Sequence, residues 1–214
     1  MCRLTVFNVY RRPQMADKLV ILLHGVGSSG DDLAGLGDHW SAALPDVSFA
    51  SPNAPFHFPH GAGWQWFSLD GITPQNRPAR VAAAREAFDQ TLQAILDQHQ
   101  MGDRLHNVVL VGFSQGSIMA LDALVSGRWP VAGLVAFSGR LSSPEPFSPA
   151  LNTPVLVIHG MADGVIPVQE SESAAQRLRA HGVTVDSQFE PGVGHTISAQ
   201  GAQKAAAFIA ARLA

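Results

Sequence analysis

Cysteine is nearly absent: Cys2 is the only one in 214 residues. A single thiol excludes an internal disulfide framework and a cysteine-based metal cluster, and its place beside the terminus reads as an exposed or half-buried thiol, not a positioned nucleophile. Charge is sparse too, at 14% of residues, with a net charge of -3 and no run of Lys or Arg. That leaves no electrostatic footprint for nucleic acid or for an anionic membrane surface. No apolar stretch is long enough to span a bilayer, and Met1-Cys2-Arg3-Leu4-Thr5-Val6 lacks the basic region and apolar run of a secretory signal. The expectation is a cytoplasmic protein without stable membrane insertion that works on small neutral molecules. A homodimer is compatible with all of this.

What the chain has in quantity is apolar. A hydrophobic content of 46% over 214 residues suits one compact domain, residues 1–214, with a large core. Its organising stretch runs from Asn107 to Asp122, reading Asn-Val-Val-Leu-Val-Gly-Phe-Ser-Gln-Gly-Ser-Ile-Met-Ala-Leu-Asp. Residues 108–111 have the β-branched bias of a strand buried on both faces, and after Gly116 the apolar spacing turns helical. Gly112-x-Ser114-x-Gly116 at that junction has the pattern of a nucleophile elbow, a strained strand-to-helix turn presenting a serine Oγ above a parallel sheet. The helix beginning at Gln115 would aim its free N–H groups and positive dipole end at developing negative charge.

Residues 5–10 read as an edge strand that Arg11-Arg12-Pro13-Gln14 breaks. Leu19–Leu23 reads as a fully buried strand ending in a glycine-rich loop, 24–30, whose backbone N–H at Val26 would face a reacting carbonyl oxygen. A phosphate-binding loop is not expected, because Gly-x-x-x-x-Gly-Lys-Ser/Thr is missing and the loop has no lysine. Asp31 or Asp32 would cap the helix that follows, through Trp40 and Leu44. A short strand at 47–51 leads into an aperiodic stretch, 52–78, of a length that usually marks a functional wall. Its aromatics Phe56, Phe58, Trp64, Trp66 and Phe67 either line an acyl pocket or plug the core, and the sequence leaves both open. His57 and His60 have no further ligand to complete a metal site and read as loop-packing histidines, so no metal or cofactor is expected.

Residues 79–101 read as one long amphipathic helix, with Val81, Ala84, Phe88, Leu92, Ile95 and Leu96 on its apolar face and Gly102 closing it. Further strands at 131–137, 154–158 and 183–189 alternate with helices at 170–180, ended by His181-Gly182, and at 200–213. Such alternation requires a mostly parallel central sheet with helices on both faces, and ligands then bind at the carboxyl ends of the strands.

The candidates for chemistry all follow such strand ends. A serine hydroxyl needs a base in hydrogen-bond reach, and the base needs an acceptor that fixes its tautomer. In this architecture the chain order is serine, acid, histidine. After Ser114, Asp163 stands just beyond a strand, whereas Glu145, Glu170, Glu172 and Asp186 fall in a Pro-rich loop, a helix start, a helix and a strand interior. His24, His39, His57, His60, His99 and His106 precede the serine, His159 precedes the acid, and His181 caps a helix, which leaves His195. Val26 and Gln115 would supply the oxyanion N–H groups. Because both are backbone donors, replacing their side chains should do less harm than losing Ser114.

Leu23-His24-Gly25-Val26-Gly27, Gly112-Phe113-Ser114-Gln115-Gly116, His159-Gly160-Met161-Ala162-Asp163 with Ile166-Pro167, and Gly194-His195 resemble the successive motifs of the phospholipase/carboxylesterase family of α/β-hydrolases. The resemblance spans about residues 19–213. It implies an α/β-hydrolase fold without a large lid domain and a cofactor-free serine hydrolase of carboxylic esters, with Ser114 as nucleophile, His195 as base, Asp163 as its orienter, and Val26 and Gln115 as oxyanion donors. Trp66-Phe67 is similar to the family's Trp-Phe pair, which implies a place beside the substrate, with Trp64 next to it. Ser117 stands where glycine often follows the elbow, and Met161, a candidate substrate contact, where a polar or acidic residue is frequent. The implied reaction is cleavage of short to medium acyl esters through an acyl-enzyme. An acyl-protein thioesterase or lysophospholipase is the alternative within the family, and a non-catalytic hydrolase-fold binding protein the alternative outside it.

Overall fold

The computed structural model describes residues 8–10 and 17–214; Cys2, residues 5–7 of the expected edge strand and the break at 11–14 lie outside them. Among the described residues seven strands form one sheet: Asn8–Tyr10 (β1), Leu19–Leu23 (β2), Ser48–Ser51 (β3), Val108–Phe113 (β6), Gly133–Phe137 (β7), Val155–Gly160 (β8) and Val185–Glu190 (β9). Their order is β1-β3-β2-β6-β7-β8-β9, and every pairing is parallel except the antiparallel edge β1·β3. Two short strands, Phe56–His57 (β4) and Trp64–Gln65 (β5), form a separate hairpin inside the stretch read as aperiodic. They are too short for alternation to betray them in the sequence.

Alternation decides the layering. Leu19, Ile21 and Leu23 of β2 join one buried cluster while Val20 and Leu22 join the other, and Val108 and Leu110 alternate in the same way with Val109 and Val111 on β6. Unbroken apolar runs are what strands covered on both faces require. One face is covered by Gly30–Ser41 (α1) and Ala199–Arg212 (α6), through Trp40, Ala202, Ala205 and Ile209. The other is covered by Arg77–Ala83 (α2), Arg85–Gln98 (α3), Gln115–Val125 (α4) and Val168–Ala180 (α5).

The single helix expected at 79–101 is therefore two, joined through Ala84 at φ -82° and ψ -10°. The apolar spacing runs unbroken across the joint, and no Pro or Gly marks it. Its end differs too. Gln100, not Gly102, makes the left-handed cap at φ +54°, with Met101 N–H on the Leu96 carbonyl (2.9 Å) and Gln100 N–H on that of Asp97 (3.2 Å), a Schellman motif. On α1 the capping residue is Ser29, and Asp32 reaches back from the first turn to accept the Ser29 N–H at 2.9 Å. Behind the elbow, the wholly buried Asp122 carboxylate of α4 takes both arms of Arg85 (2.9 and 2.9 Å) and one of Arg128 (3.0 Å), tying α4 to α3. Removing one partner of such a buried pair costs about 3–5 kcal/mol.

Candidate active site

At the end of β6 the chain turns within one residue into α4, and that residue is Ser114, at φ +53° and ψ -115°. A side chain in this region stores roughly 1–3 kcal/mol of strain, which the surroundings must hold. Two contacts hold it. The Ser114 N–H donates to the Phe137 carbonyl at 2.9 Å, and the Ser117 hydroxyl lies 2.7 Å from both the Gly112 and Phe137 carbonyls. The flanking glycines are obligatory: a Cβ on Gly116 would stand 2.0 Å from the Leu23 carbonyl oxygen, and one on Gly112 2.5 Å from the Ser117 nitrogen.

β8 runs past its expected end at 158 to Gly160, where a Cβ would meet the Val193 carbonyl oxygen at 2.2 Å. This close approach, sealed by Ala162 N–H on the same carbonyl (2.9 Å), lays the loop after β9 against the loop after β8. His195 Nδ1 then stands 2.6 Å from Asp163 Oδ2, and its Nε2 3.1 Å from Ser114 Oγ. The carboxylate fixes the tautomer: Nδ1–H donates to Asp163, leaving the Nε2 lone pair to accept a hydrogen bond from the Ser114 hydroxyl. Asp163 Oδ1 accepts the N–H groups of Val165 (2.8 Å) and Ile166 (2.9 Å). Burial works to raise this carboxyl, but the His195 N–H and the two amides outweigh it and hold it below the ordinary carboxylate range. The carboxylate stays ionised at neutral pH.

The Val26 and Gln115 N–H groups donate to no carbonyl among the described residues. His24 fixes the first of them. Its Nε2 accepts the Ala54 N–H (2.9 Å), so the proton sits on Nδ1 and donates to the Gly25 carbonyl (2.7 Å). That carbonyl and the Val26 N–H belong to one planar peptide unit and point in opposite directions, so holding one orients the other. Burial lowers the His24 pKa despite the opposing pull of the Gly25 carbonyl and of Asp32, which keeps the ring neutral. Gln115 does more than the sequence suggests: its side-chain Oε1 accepts the Trp66 N–H (2.7 Å) and its Nε2 donates to the Phe67 carbonyl (2.8 Å). The sequence points only to its backbone N–H.

Gly25, Gly27 and Gly30 have the Gly-x-Gly-x-x-Gly spacing of a dinucleotide-binding turn, between a strand and a helix, a match that the missing lysine does not remove. The structure removes it. Gly27 N–H donates to the Trp64 carbonyl (2.8 Å), Gly30 N–H to Asn53 (2.7 Å) and Ser29 N–H to Asp32 (2.9 Å), so these amides are taken and a carboxylate sits where a pyrophosphate would.

The four expected substrate contacts fall in different places. Trp66, at 1% exposure, packs on Phe88 and His24 and gives its indole N–H to the His24 carbonyl (2.9 Å). Its ring is therefore packed inward, against the core. Phe67 is buried but lines a cleft of about 660 Å³ with Phe56, Gln65, Ala79, Arg80 and Ala83, whose walls include none of Ser114, Asp163 and His195. Trp64 is half-buried and stacks on His57 at 3.9 Å, and Met161 is exposed on the loop carrying Asp163. His60 pairs with Asp70 at the surface. Among the described residues no group of His, Cys, Asp and Glu could hold a metal ion, and no helix is long and apolar enough to cross a membrane.

Comparison with known proteins gives the family and the fold. The family model described as Phospholipase/Carboxylesterase matches residues 4–213. Esterase YpfH of Escherichia coli is 34% identical over 192 residues, covering 89% of this chain and 81% of that protein. Acyl-protein thioesterase 1 of Neurospora crassa is 29% identical over 198 residues, covering 83% of this chain and 79% of that protein. The crystal structure of esterase PE8 superposes with a TM-score of 0.84 at 34% identity, covering 98% of this chain and all (100%) of that one. The Bacillus cereus carboxylesterase, at 18% identity and a TM-score of 0.79 over 96% of this chain and 93% of that one, shares the fold, an α/β-hydrolase sheet without a large added domain.

Proposed function

Because this chain belongs to the phospholipase/carboxylesterase family, and so is a serine ester hydrolase, we propose that Ser114, His195 and Asp163 are its catalytic triad and short to medium-chain carboxylic esters its substrates. Ser114 Oγ attacks the ester carbonyl carbon as its proton passes to His195 Nε2. The Val26 and Gln115 N–H groups receive the oxyanion, each such donor being worth roughly 3–4 kcal/mol. Collapse breaks the bond to the alkoxy oxygen, which leaves with the proton from Nε2. Water repeats the sequence on the acyl-enzyme, returning the proton to Ser114 and releasing the acid. Asp163, ionised throughout, balances the transient imidazolium. The observation that carries the proposal is the pair of distances on His195, 3.1 Å to Ser114 Oγ and 2.6 Å to Asp163 Oδ2.

Incubation with a fluorophosphonate followed by mass spectrometry tests it, with one adduct expected, on Ser114. Turnover of p-nitrophenyl butyrate, abolished by Ser114→Ala, is expected as well; steady binding without turnover would mean a receptor in place of an enzyme. A second reading, hydrolysis of thioesters on proteins, is favoured by relatives named as acyl-protein thioesterases. The same acyl-enzyme serves both, and a panel of esters, thioesters and lysophospholipids of graded acyl length separates them. We also propose one domain over 1–214 and a cytoplasmic location, the latter supported by the lone cysteine.

A further inference from the structure

We propose that Glu190, the last residue of β9, is a positioning residue for His195: through the Ser198 hydroxyl its carboxylate closes the loop that carries the imidazole. This rests on the assignment of Ser114, His195 and Asp163 above. Glu190 precedes His195 and Ser198 follows it, so the two bracket that loop where β9 ends and α6 begins.

Glu190 is buried, at 6% exposure. Its Oε1 and Oε2 each lie 2.8 Å from Ser198 Oγ, and Oε1 also accepts the Gln188 Nε2–H at 2.9 Å. Ser198 caps α6 by accepting the Gly201 N–H at 2.8 Å, so a lone pair of its oxygen faces the helix and its one proton is left for the carboxylate. Gly201 makes room for this contact: a Cβ there would come 3.3 Å from Glu190 Oε2 and 3.1 Å from the Ile158 side chain. The first turn of α6 can thus settle against Glu190, where the positive end of the helix dipole favours a carboxylate.

The ring depends on this tie because little else directs the far half of its loop. Val193 holds the near half, its N–H on the Glu190 carbonyl at 3.4 Å and its carbonyl on the Ala162 N–H at 2.9 Å. Over 194–198, among the described residues and apart from bonds inside α6, the hydrogen bonds to other parts of the fold are those of the His195 ring and the Ser198 hydroxyl. The Thr196 N–H only turns back to the Gly194 carbonyl, at 2.9 Å. Packing of Ile197 in the core and of the Phe113 ring on His195 resists withdrawal but sets no direction. A base must stay within hydrogen-bond reach of the serine, 3.1 Å here, and a carboxylate that fastens the two ends of the loop to each other holds that distance.

Glu190→Met, Glu190→Gln and Ser198→Ala test this. Methionine fills the volume but is a poor acceptor, whereas the glutamine amide oxygen still takes the Ser198 proton. Displacing a catalytic group by about 1 Å costs on the order of a hundredfold, so the methionine variant is expected to lose about tenfold or more in kcat, with KM within about twofold. Ser198→Ala should lose as much, and the double variant no more than either, because both changes cut the same link. The glutamine variant should keep most of kcat. In proton NMR spectra the downfield resonance of the His195 Nδ1–H, held on Asp163 at 2.6 Å, should shift or broaden in the methionine and alanine variants and return in the glutamine one. A merely structural role would lower the melting temperature while kcat of the folded enzyme and that resonance stayed parental; this overturns the proposal, as does a glutamine variant as impaired as the methionine one. If the methionine variant does not fold, Ser198→Ala, which leaves the carboxylate in place, carries the same test. Fluorophosphonate labelling of the parent keeps the two ideas apart: no adduct on Ser114 sinks the triad assignment, whereas a labelled parent with unaltered Glu190 and Ser198 variants sinks only this inference.

Discussion

Replacing Gln115 by alanine should unfasten the aromatic loop while leaving the chemistry nearly intact. The side chain makes one bond to the Trp66 N–H and one to the Phe67 carbonyl, at 2.7 and 2.8 Å, in surroundings where Gln115, Trp66 and Phe67 are 2%, 1% and 4% exposed. Each backbone group left unpaired at such a site costs about 1–3 kcal/mol, a gross loss of roughly 2–6 kcal/mol. Water entering the vacated volume restores part of it, so about 3 kcal/mol is the expected net loss by urea unfolding. For a chain of this length that is roughly 6–12 °C in Tm. The alanine still carries the backbone N–H at the start of α4, and only loss of that donor would cost 10²- to 10³-fold, so kcat should fall by less than about tenfold. Two results would refute the reasoning. Stability within about 0.5 kcal/mol of the parent would mean that the side chain does not hold the loop. A thousandfold loss of kcat in the folded variant would mean that the side chain, not the amide, meets the oxyanion.

Gly160→Ala would drive a Cβ to 2.2 Å from the Val193 carbonyl oxygen and push the His195 loop outward. Since a misplacement of about 1 Å at a catalytic group costs on the order of a hundredfold, ester turnover should drop at least that far while circular dichroism is unchanged. Ser117→Gly removes a hydroxyl that braces the elbow against two carbonyls, and should lower unfolding free energy by about 1–2 kcal/mol in urea with kcat nearly retained. His24 has a folded pKa below its ordinary 6.5, so the unfolded chain takes up the proton first: stability is complete above that value and declines as pH falls below it. Urea titrations between pH 7 and 5 should show the decline, and His24→Asn should flatten it only in part, since half-buried His99 is shifted in the same direction by its desolvation. A second decline, from Asp163 and Asp122, whose carboxyls are held down in the folded state, should begin below their ordinary 3.8, and Asp122→Asn should shrink it.

The three candidate residues that the structure brings together can be picked out by chain order, because the proposed chemistry constrains them: a serine between glycines at a strand-to-helix junction, an acid after one later strand and a histidine after another. The same holds for the buried strands, whose apolar runs admit no exposed face. What escaped is a different kind of residue. Gln115 is legible in the sequence only as a backbone amide, with nothing to show that its side chain ties down Trp66 and Phe67. Ser117 stands out in the sequence only as a departure from glycine, with no sign of the two carbonyls it meets, and the α2–α3 joint leaves no trace in the spacing.

The side chains of Gln115 and Ser117 share one property: their partners are peptide groups that meet them only after folding, and burial, not reaction chemistry, demands the contact. Glycine spacing misleads for the mirror-image reason. Gly25, Gly27 and Gly30 satisfy a dinucleotide fingerprint, yet every such fingerprint presumes free amides, and here Trp64, Asn53 and Asp32 occupy them. A motif states what backbone shape is permitted. Which ligand that shape serves depends on whether the rest of the chain has already filled its hydrogen bonds, and in this loop the amides of Gly27, Ser28, Ser29 and Gly30 are filled while, among the described residues, that of Val26 is not.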